Sequence, residues 1–244
     1  MNIIGCTGES AFQPDIISMI EEAFDANPLK LCQNNEANLE YWLSQCKGVV
    51  LAGGVDLHPR TYGGAVLNDN HFSKFDYLRD VREIRIIKYC LAHKIPMLGI
   101  CRGHQMLGVY FGFIFCSDLK GKVCHNPNKQ DIDVTENEPM HPVDLTDAAD
   151  ESYEVKDCIR SMLGKDSNRK LWVNSFHHQG LINKSIPGNV VILGTADALE
   201  EDSIVEIMRG DNWMSVQWHP EFDWQQNDAS KMVLQKFKQM MGGE

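Results

Sequence analysis

Apolar runs and amphipathic stretches alternate along the first part of the chain. Between the runs, apolar residues recur at helical spacing, as Ile16, Ile20 and Phe24 do after Pro14. Strands that alternate with helices predict βαβ units and a parallel sheet covered by helices on both faces. The predicted strands are residues 2–6, 29–32, 47–52 and 96–100. Four helices are predicted: one begins near Pro14, a second ends near Gln45, and two more span about 75–92 and about 103–112.

The pattern changes after about residue 113, where short strand-like segments predominate. These segments predict a mixed or antiparallel extension of the parallel sheet. The chain has no internal repeat, low-complexity tract or Gly/Ser linker, so we expect one domain over residues 1–244. The predicted strands are 112–116, 131–135, 143–146, 171–175, 190–195, 204–208 and 214–218, and a helical pattern returns at 153–163 and 228–241.

Charge narrows the range of functions. The 244 residues include 34 acidic and 23 basic side chains, which give a net charge of −11. This balance disfavours binding to nucleic acid or to an anionic membrane. The sequence has neither a signal-peptide pattern nor an apolar stretch of about 18 residues, so we expect a soluble cytoplasmic protein.

Eight cysteines are scattered along the chain without a CxxC pair. Several lie in apolar segments, as Cys90 does between Tyr89 and Leu91. Such positions are typical of buried thiols in a reducing compartment, rather than of disulfides or a structural zinc site.

Cys101 differs from the other cysteines in its setting. It is the centre of Gly99-Ile100-Cys101-Arg102-Gly103, which follows an apolar strand and precedes a helix. This pattern is typical of a nucleophile elbow, a tight turn that projects its central side chain from a strand end. The N–H groups and partial positive charge of the helix N-terminus would favour a thiolate there. The alternative is a structural strand end that carries Gly-x-Cys-x-Gly without catalysing anything.

A thiol nucleophile needs a general base, and the base needs a group that orients it. The strand-like segment 213–218 leads into His219-Pro220-Glu221. In an extended chain His219 and Glu221 point the same way, and Pro220 keeps His219 extended. We therefore predict that Cys101 is the nucleophile, His219 the base and Glu221 the orienting carboxylate.

Acyl transfer also needs two N–H donors that stabilise an oxyanion. The backbone N–H of Arg102 is the first candidate, and Gly54 at the end of the strand 47–52 provides the second. A plain glycine turn at Gly53-Gly54 is the alternative. The loop has no GK[ST] ending, so it is not a phosphate-binding P-loop.

The sequence assigns less chemistry to the remaining histidines. His177 and His178 would point apart on a strand, and no cysteine or carboxylate cluster lies near them in the sequence. We therefore expect no metal site. His104 follows the elbow and is a candidate to line the pocket. Loop or surface positions are expected for His58, His71, His93, His125 and His141.

Several motifs occur together in a fixed order. As a set they resemble the class I glutamine amidotransferase superfamily and, within it, the γ-glutamyl-γ-aminobutyrate hydrolase (peptidase C26) family. Each motif is moderately specific, and the ordered set, which covers residues 48–221, is highly specific. The motifs are Ala52-Gly53-Gly54-Val55-Asp56-Leu57-His58-Pro59 with Tyr62-Gly63, Arg79-Asp80-Val81-Arg82-Glu83, Leu98-Gly99-Ile100-Cys101-Arg102-Gly103-His104-Gln105, His141-Pro142-Val143, Val173-Asn174-Ser175-Phe176-His177-His178-Gln179 and Val216-Gln217-Trp218-His219-Pro220-Glu221.

The resemblance implies an α/β fold of the Rossmann-like (flavodoxin-like) type. The fold would be a three-layer sandwich with a mostly parallel central sheet and a mixed or antiparallel extension. Asp56 and Tyr62 would support the segment that follows the strand 47–52 and carries Gly53 and Gly54, which we call the oxyanion loop. By the same resemblance the γ-glutamyl moiety of a substrate would be bound by Gly53, Gln105, Ser175, Phe176, His177, His178 and Gln179.

The resemblance also implies hydrolysis of a small γ-glutamyl conjugate through a γ-glutamyl thioester, with no cofactor and no metal. A homodimer is compatible with it. The first alternative is an amidotransferase component that supplies ammonia from glutamine to a partner synthase, and the second is an inactive binding protein. Segments 146–170 and 198–206 depart from the family pattern and could border the pocket, so the leaving amine stays open.

Overall fold

The computed structural model describes residues 2–8, 14–31, 37–64, 75–119, 141–146, 169–197 and 202–242. Its strands are β1 Asn2–Thr7, β2 Ala26–Leu31, β3 Gly48–Leu51, β4 Met97–Ile100, β5 Ile114–Cys116, β6 His141–Leu145, β7 Lys170–Val173, β8 Gly180–Ile182, β9 Val191–Asp197, β10 Ser203–Arg209 and β11 Trp213–Val216. Its helices are α1 Pro14–Ser18 with a π-helical continuation Met19–Ala23, α2 Leu39–Ser44, a 3-10 turn Pro59–Thr61, α3 Tyr77–His93, α4 Arg102–Phe111, α5 Pro220–Asp223 and α6 Asp228–Met240.

The described strands form one sheet with a parallel half and an antiparallel half. Its main order is β2-β1-β3-β4-β11-β10-β9-β6-β7, and β8 pairs with both β10 and β5. Strands β2, β1, β3, β4 and β11 pair in parallel. From β10 onwards the pairings are antiparallel. The predicted parallel sheet with an antiparallel extension is therefore confirmed.

Helices cover both faces of the parallel half. On one face α1, its π-helical continuation and α6 pack against Val50, Ile100 and other strand residues. On the opposite face α2, α3 and α4 pack against Val49 and Leu51. Alternate residues of β3 thus enter opposite cores, as the pleat of a strand requires. The predicted three-layer α/β sandwich is confirmed.

Several predicted boundaries differ from the observed ones. β2 begins at Ala26, three residues before its predicted start, and includes Pro28. Proline is tolerated there because β2 is the edge strand of the sheet. The sequence reading missed the three-residue β8, which is too short to show a strand period. β10 begins at Ser203, one residue before its predicted start, so the segment 198–206 that departs from the family pattern includes the first residues of a strand. The predicted strand 131–135 and helix 153–163 lie outside the described residues.

Two glycines allow the turn between β4 and α4 to be tight. A Cβ on Gly103 would overlap the Leu51 carbonyl group of β3, and a Cβ on Gly99 would lie 2.9 Å from Gly103. The first turn of α4 therefore lies directly against β3.

None of the described helices is long and apolar enough to cross a membrane.

We predict that Gly103→Ala lowers the free energy of unfolding by about 2 kcal/mol or more, because the added methyl group meets backbone that can move only with the strand. Gly188→Ala is the matched control, since a Cβ there has no atom within 4 Å, and it should change stability by less than about 0.5 kcal/mol. Urea unfolding of the two variants checks this. Equal stability would mean that the elbow does not need glycine at this position.

Candidate active site

Cys101 occupies the turn between β4 and α4 in a conformation that is uncommon for a residue with a side chain. Its φ is 50° and its ψ is −102°. The Cys101 N–H donates to the Val216 carbonyl oxygen at 2.9 Å, and the Cys101 carbonyl oxygen accepts from the Gln105 N–H at 3.1 Å. Positive φ in a non-glycine residue often marks a functional constraint. The geometry is that of the predicted nucleophile elbow.

His219 lies close to Cys101 because β11 pairs in parallel with β4. The His219 ring lies beside Cys101, which acts on its ionisation, and its Nδ1 lies 2.8 Å from Glu221 Oε1. Burial alone would lower the pKa of His219, but the Glu221 carboxylate and Cys101 raise it well above its usual value of 6.5. The Glu221 contact assigns the proton to Nδ1 and leaves Nε2 for the thiol.

The route to the His219–Glu221 contact differs from the predicted one. The sequence analysis expected an extended chain through Pro220, whereas Pro220 begins the short helix α5 and Glu221 lies in its first turn. The contact forms nonetheless, because the helical turn brings the carboxylate back towards the ring. The predicted strand 214–218 also extends too far, since β11 ends at Val216.

The His219 ring is held between aromatic side chains. Phe222 stacks on it at a centroid distance of 4.9 Å, and Phe176 meets it edge-on at 5.9 Å. A Cβ on Gly53 would lie 2.9 Å from His219 Cε1 and 3.8 Å from Cys101 Cβ. Gly53 therefore has to lack a side chain for the oxyanion loop to approach both groups. The sequence reading did not single out Phe222.

Asn174 fixes the backbone of His219. Its Nδ2 donates to the His219 carbonyl oxygen at 2.8 Å, and its Oδ1 accepts from the His219 N–H at 2.9 Å. A further bond from Asn174 Nδ2 to Asp223 Oδ2 at 3.1 Å fixes the amide itself. Asn174 appears in the family motifs, but no local pattern pairs it with a residue 45 positions away.

The two predicted oxyanion donors belong to segments that follow neighbouring strands, β4 and β3. Arg102 is the first residue of α4, so its N–H has no partner within the helix. Gly54 follows β3 with a φ of 143°, a conformation open to glycine but not to other residues. Gly54 is exposed, whereas Gly53 is buried. The Gly54 N–H is thus a candidate to face a bound substrate.

A buried charge cluster holds the elbow and the oxyanion loop together. We call Arg79, Arg102, Asp80 and Glu83 the charge cluster; its side chains are at most 4% exposed. The Arg102 guanidinium donates to Asp80 and to Glu83. Arg79 Nε donates to Glu83 at 2.9 Å, and its Nη2 donates to the carbonyl oxygens of Ala52 and Gly53 at 2.7 and 3.0 Å.

The charge cluster sets the ionisation of its own members. Burial raises the pKa of Glu83, but Arg102 and Arg79 outweigh this effect and lower it to about 2. Asp80 Oδ2 accepts from the His58 N–H at 2.9 Å and from Thr61 Oγ1 at 2.6 Å. These bonds extend the cluster to the 3-10 turn that follows the oxyanion loop. His58, expected at a loop or surface position, lies in the loop before this 3-10 turn but is buried.

The predicted substrate-binding residues do not share one environment. Gln105 Nε2 donates to the Gln179 carbonyl oxygen at 3.0 Å and to Gln217 Oε1 at 3.2 Å, so its amide joins α4 to the 174–179 segment. His178 Nε2 lies 3.1 Å from Asp56 Oδ1, which joins that segment to the oxyanion loop. Ser175 is buried, and Phe176 packs against the ring of His219.

Three histidines depart from their predicted places. His104 is completely buried; its nitrogens lie 2.9 Å from Ser215 Oγ and from the Val205 carbonyl oxygen, so it does not line a pocket. His141 was expected at a loop or surface position, but it lies buried on β6. His177, expected to contact substrate, is buried beside His141 and Glu206.

Three of the other described thiols, those of Cys6, Cys46 and Cys90, differ in chemistry from that expected of Cys101, whereas Cys116 is only partly buried. Burial raises the pKa of Cys6 to about 12, that of Cys46 to about 11 and that of Cys90 further still. These groups stay protonated at neutral pH and are poor nucleophiles. The prediction of buried free thiols is confirmed for these three; Cys32, Cys124 and Cys158 lie outside the described residues.

The Peptidase C26 sequence profile matches residues 4–221 of the chain. The chain belongs to the Peptidase C26 family. This C26 protein is 30% identical over 207 residues to the glutamine amidotransferase-like protein YvdE of Lactococcus lactis, with 82% of this chain and 76% of that protein covered. It is 28% identical over 205 residues to the γ-glutamyl-γ-aminobutyrate hydrolase PuuD of Escherichia coli, with 82% and 73% covered.

Solved structures of low sequence identity share the fold. The glutaminase domain of Trypanosoma brucei CTPS, solved with bound acivicin, matches with a TM-score of 0.60 at 13% identity, covering 99% of this chain and 94% of that one. A glutamine amidotransferase from Thermotoga maritima matches with a TM-score of 0.54 at 15% identity and the same coverage. The family membership supports a hydrolase or amidotransferase activity for this C26 protein.

We predict that Glu83→Gln lowers the free energy of unfolding by about 3 kcal/mol or more, because it leaves two buried guanidinium groups with one carboxylate. The control is Asp144→Asn, which removes the exposed pair with Lys170 at 2.9 Å and should cost less than about 1 kcal/mol.

The pH dependence of the free energy of unfolding, compared between the wild type and Glu83→Gln, gives a second readout. Because the folded-state pKa of Glu83 lies below its usual 4.5, its contribution to stability is complete above that value and declines as the pH falls towards about 2. Urea unfolding between neutral pH and pH 3 should show the wild type and Glu83→Gln converging in acid. A pH-independent difference would contradict the assigned charge state.

Proposed function

We propose that this C26 protein is a cysteine-nucleophile hydrolase that cleaves the γ-glutamyl amide bond of a small γ-glutamyl conjugate. The observation that carries the proposal is the position of His219, which contacts both the Cys101 side chain and the Glu221 carboxylate. A nucleophile, a base and an orienting acid in this order are the parts that acyl transfer requires.

In the first half-reaction, the Cys101 thiol gives its proton to His219 and its sulfur attacks the amide carbonyl carbon. The carbonyl oxygen becomes an oxyanion, which the N–H groups of Gly54 and Arg102 stabilise. Protonated His219 then gives its proton to the amine nitrogen, the C–N bond breaks and the amine leaves. The product on the enzyme is a γ-glutamyl thioester.

In the second half-reaction, water replaces the amine. His219 accepts a proton from the water as its oxygen attacks the thioester carbonyl, and the same two N–H groups hold the new oxyanion. The C–S bond breaks, glutamate leaves and Cys101 regains its proton from His219. The sum is amide plus water giving glutamate plus amine, so no cofactor is needed for balance.

Two features support a γ-glutamyl substrate. One is the similarity to γ-glutamyl-γ-aminobutyrate hydrolase PuuD. The other is the 174–179 segment, which contacts Gln105 of α4 through Gln179 and Asp56 of the oxyanion loop through His178. We propose that Gly53, Gln105 and the Ser175–Gln179 segment hold the glutamyl group. For His177 this role is indirect, since its ring lies against His141 and Glu206.

The alternative is a glutaminase that delivers ammonia to a partner synthase, which the similarity to glutamine amidotransferase-like YvdE favours. The two activities share the first half-reaction. They differ in the leaving group that the pocket accepts, and a substrate comparison therefore separates them.

We predict that the wild type hydrolyses a γ-glutamyl amide of a primary alkylamine with a kcat/KM at least about 10-fold above that for free glutamine. A pocket that binds even one methylene of the amine discriminates by that factor. Released glutamate is the readout, the isomeric α-glutamyl amide is the substrate control, and Cys101→Ala is the enzyme blank. Preference for free glutamine would favour the glutaminase, and turnover by Cys101→Ala would refute the assigned nucleophile.

We predict a graded effect of the two residues behind Cys101. His219→Asn should lower kcat/KM by about 10²–10⁴-fold because the base is lost, and Glu221→Gln should lower it less. Since Glu221 raises the pKa of His219, Glu221→Gln should also move the alkaline limb of the kcat/KM profile to lower pH. The exposed Glu21→Gln should leave the profile unchanged. A Glu221→Gln profile identical to that of the wild type would make Glu221 purely structural.

A further inference from the structure

A second group of polar side chains lies buried in the antiparallel half of the sheet. His141 on β6, His177 after β7 and Glu206 on β10 each offer one atom to a cluster whose atoms all lie within 4.8 Å of one another. His177 Nε2 lies 3.7 Å from Glu206 Oε1, and His141 Nε2 lies 3.9 Å from the same oxygen. All three residues are buried: His141 is 4% exposed, His177 3% and Glu206 0%.

The backbone presents Glu206 to this cluster by an irregularity in β10. Val205 pairs with Thr195 and Ile207 pairs with Gly194, so Glu206 is the extra residue of a β-bulge. Val205 and Ile207 accordingly enter opposite cores, although they are two residues apart. Bulges of this kind re-aim a side chain and are frequent beside functional sites.

The tautomers of both histidines follow from their other contacts. His177 Nδ1 lies 2.8 Å from the Gln179 carbonyl oxygen, and His141 Nδ1 lies 3.2 Å from the Pro142 carbonyl oxygen. A carbonyl oxygen only accepts, so each Nδ1 carries a hydrogen. In neutral rings the Nε2 lone pairs then point towards the carboxyl group of Glu206. Burial lowers the pKa of His141 and raises that of Glu206.

Three atoms with lone pairs converge in this buried place, close enough for a single cation to contact all of them. Two imidazole nitrogens and one carboxylate oxygen are a common ligand set for zinc, with bonds of about 2.0–2.2 Å and ligand atoms therefore roughly 3.4 Å apart. A backbone carbonyl that fixes the far nitrogen of each ring is the usual outer-shell arrangement of a metal-bound histidine.

We propose that His141, His177 and Glu206 bind a divalent transition-metal ion, with zinc as the expected occupant, at a site separate from Cys101. The two nitrogen–oxygen distances of 3.7 and 3.9 Å have to contract by a few tenths of an ångström, and the third distance, between the two histidine nitrogens, lies within 4.8 Å. Glu206 binds as the carboxylate, and the fourth position takes a small ligand such as water. No metal site was expected from the sequence, because Glu206 is distant in sequence from both histidines.

The ion would fasten the 174–179 segment to the sheet. His177 lies between Asn174, which bonds to the His219 backbone, and Gln179, whose carbonyl oxygen accepts from Gln105. The metal therefore has a structural role, and the proposal does not depend on the reaction at Cys101.

Metal content tests the proposal directly. The protein is the full chain without a histidine tag, in a Cys101→Ala background so that zinc cannot bind to the nucleophile. After incubation with zinc sulfate and gel filtration, mass spectrometry for metals should find close to one zinc ion per chain. Glu206→Gln and His177→Gln should lose it, and the exposed His93→Gln should keep it. Zinc should raise the melting temperature of the parent and of His93→Gln only.

A measurement on the parent protein keeps the test independent of variant folding. X-ray absorption at the zinc edge should show a shell of nitrogen and oxygen with imidazole scattering and no sulfur. The proposal is overturned if the parent retains none of zinc, cobalt, manganese or iron, if Glu206→Gln and His177→Gln keep the full zinc content, or if the absorption spectrum shows sulfur ligands.

Discussion

The candidate active site depends on one buried electrostatic arrangement, the charge cluster of Arg79, Arg102, Asp80 and Glu83. Burying four charges is costly, and it is tolerated only when every charge is paired and hydrogen bonded. Here the pairing joins α3 to α4, and the remaining donors of Arg79 reach the carbonyl oxygens of Ala52 and Gly53. The turn that carries Cys101 and the loop that carries Gly54 are thereby fixed to the same set of side chains. The spacing between nucleophile and oxyanion donors is then a consequence of the cluster's geometry.

The order of the strands explains why residues far apart in sequence meet. β3, β4 and β11 are neighbours in the sheet and run in parallel. Their carboxyl ends lie at one edge, where α/β proteins commonly bind ligands. The oxyanion loop leaves β3, Cys101 leaves β4 and His219 follows β11. Each strand contributes one part of the candidate site, and the aromatic rings of Phe176 and Phe222 close around His219.

The sequence was sufficient where local rules dominate. Alternation of apolar runs predicted the layers, and Gly99 and Gly103 marked the elbow, because close packing there leaves room for nothing larger than hydrogen. It was insufficient where partners lie far apart. Nothing local pairs Asn174 with His219, or Arg102 with Asp80, and nothing local shows that α5 rather than an extended chain sets Glu221 against His219. The three residues of β8 are too few to show a period. His141 and His104 were misplaced because a single histidine gives no sign of whether its strand or helix is covered.

The two halves of the sheet divide the work. The parallel half supplies rigid strand ends for the candidate nucleophile, base and oxyanion donors. The antiparallel half supplies the 174–179 segment, which reaches across to α4 and to the His219 backbone. A segment without regular structure keeps such a position only if both of its flanks are held. One flank is held by Asn174 and the other by Gln179, and between them His177 points into the buried cluster with His141 and Glu206. The positions of the side chains around Cys101 therefore depend on polar contacts in the antiparallel half of the sheet as well as on the turn that carries Cys101.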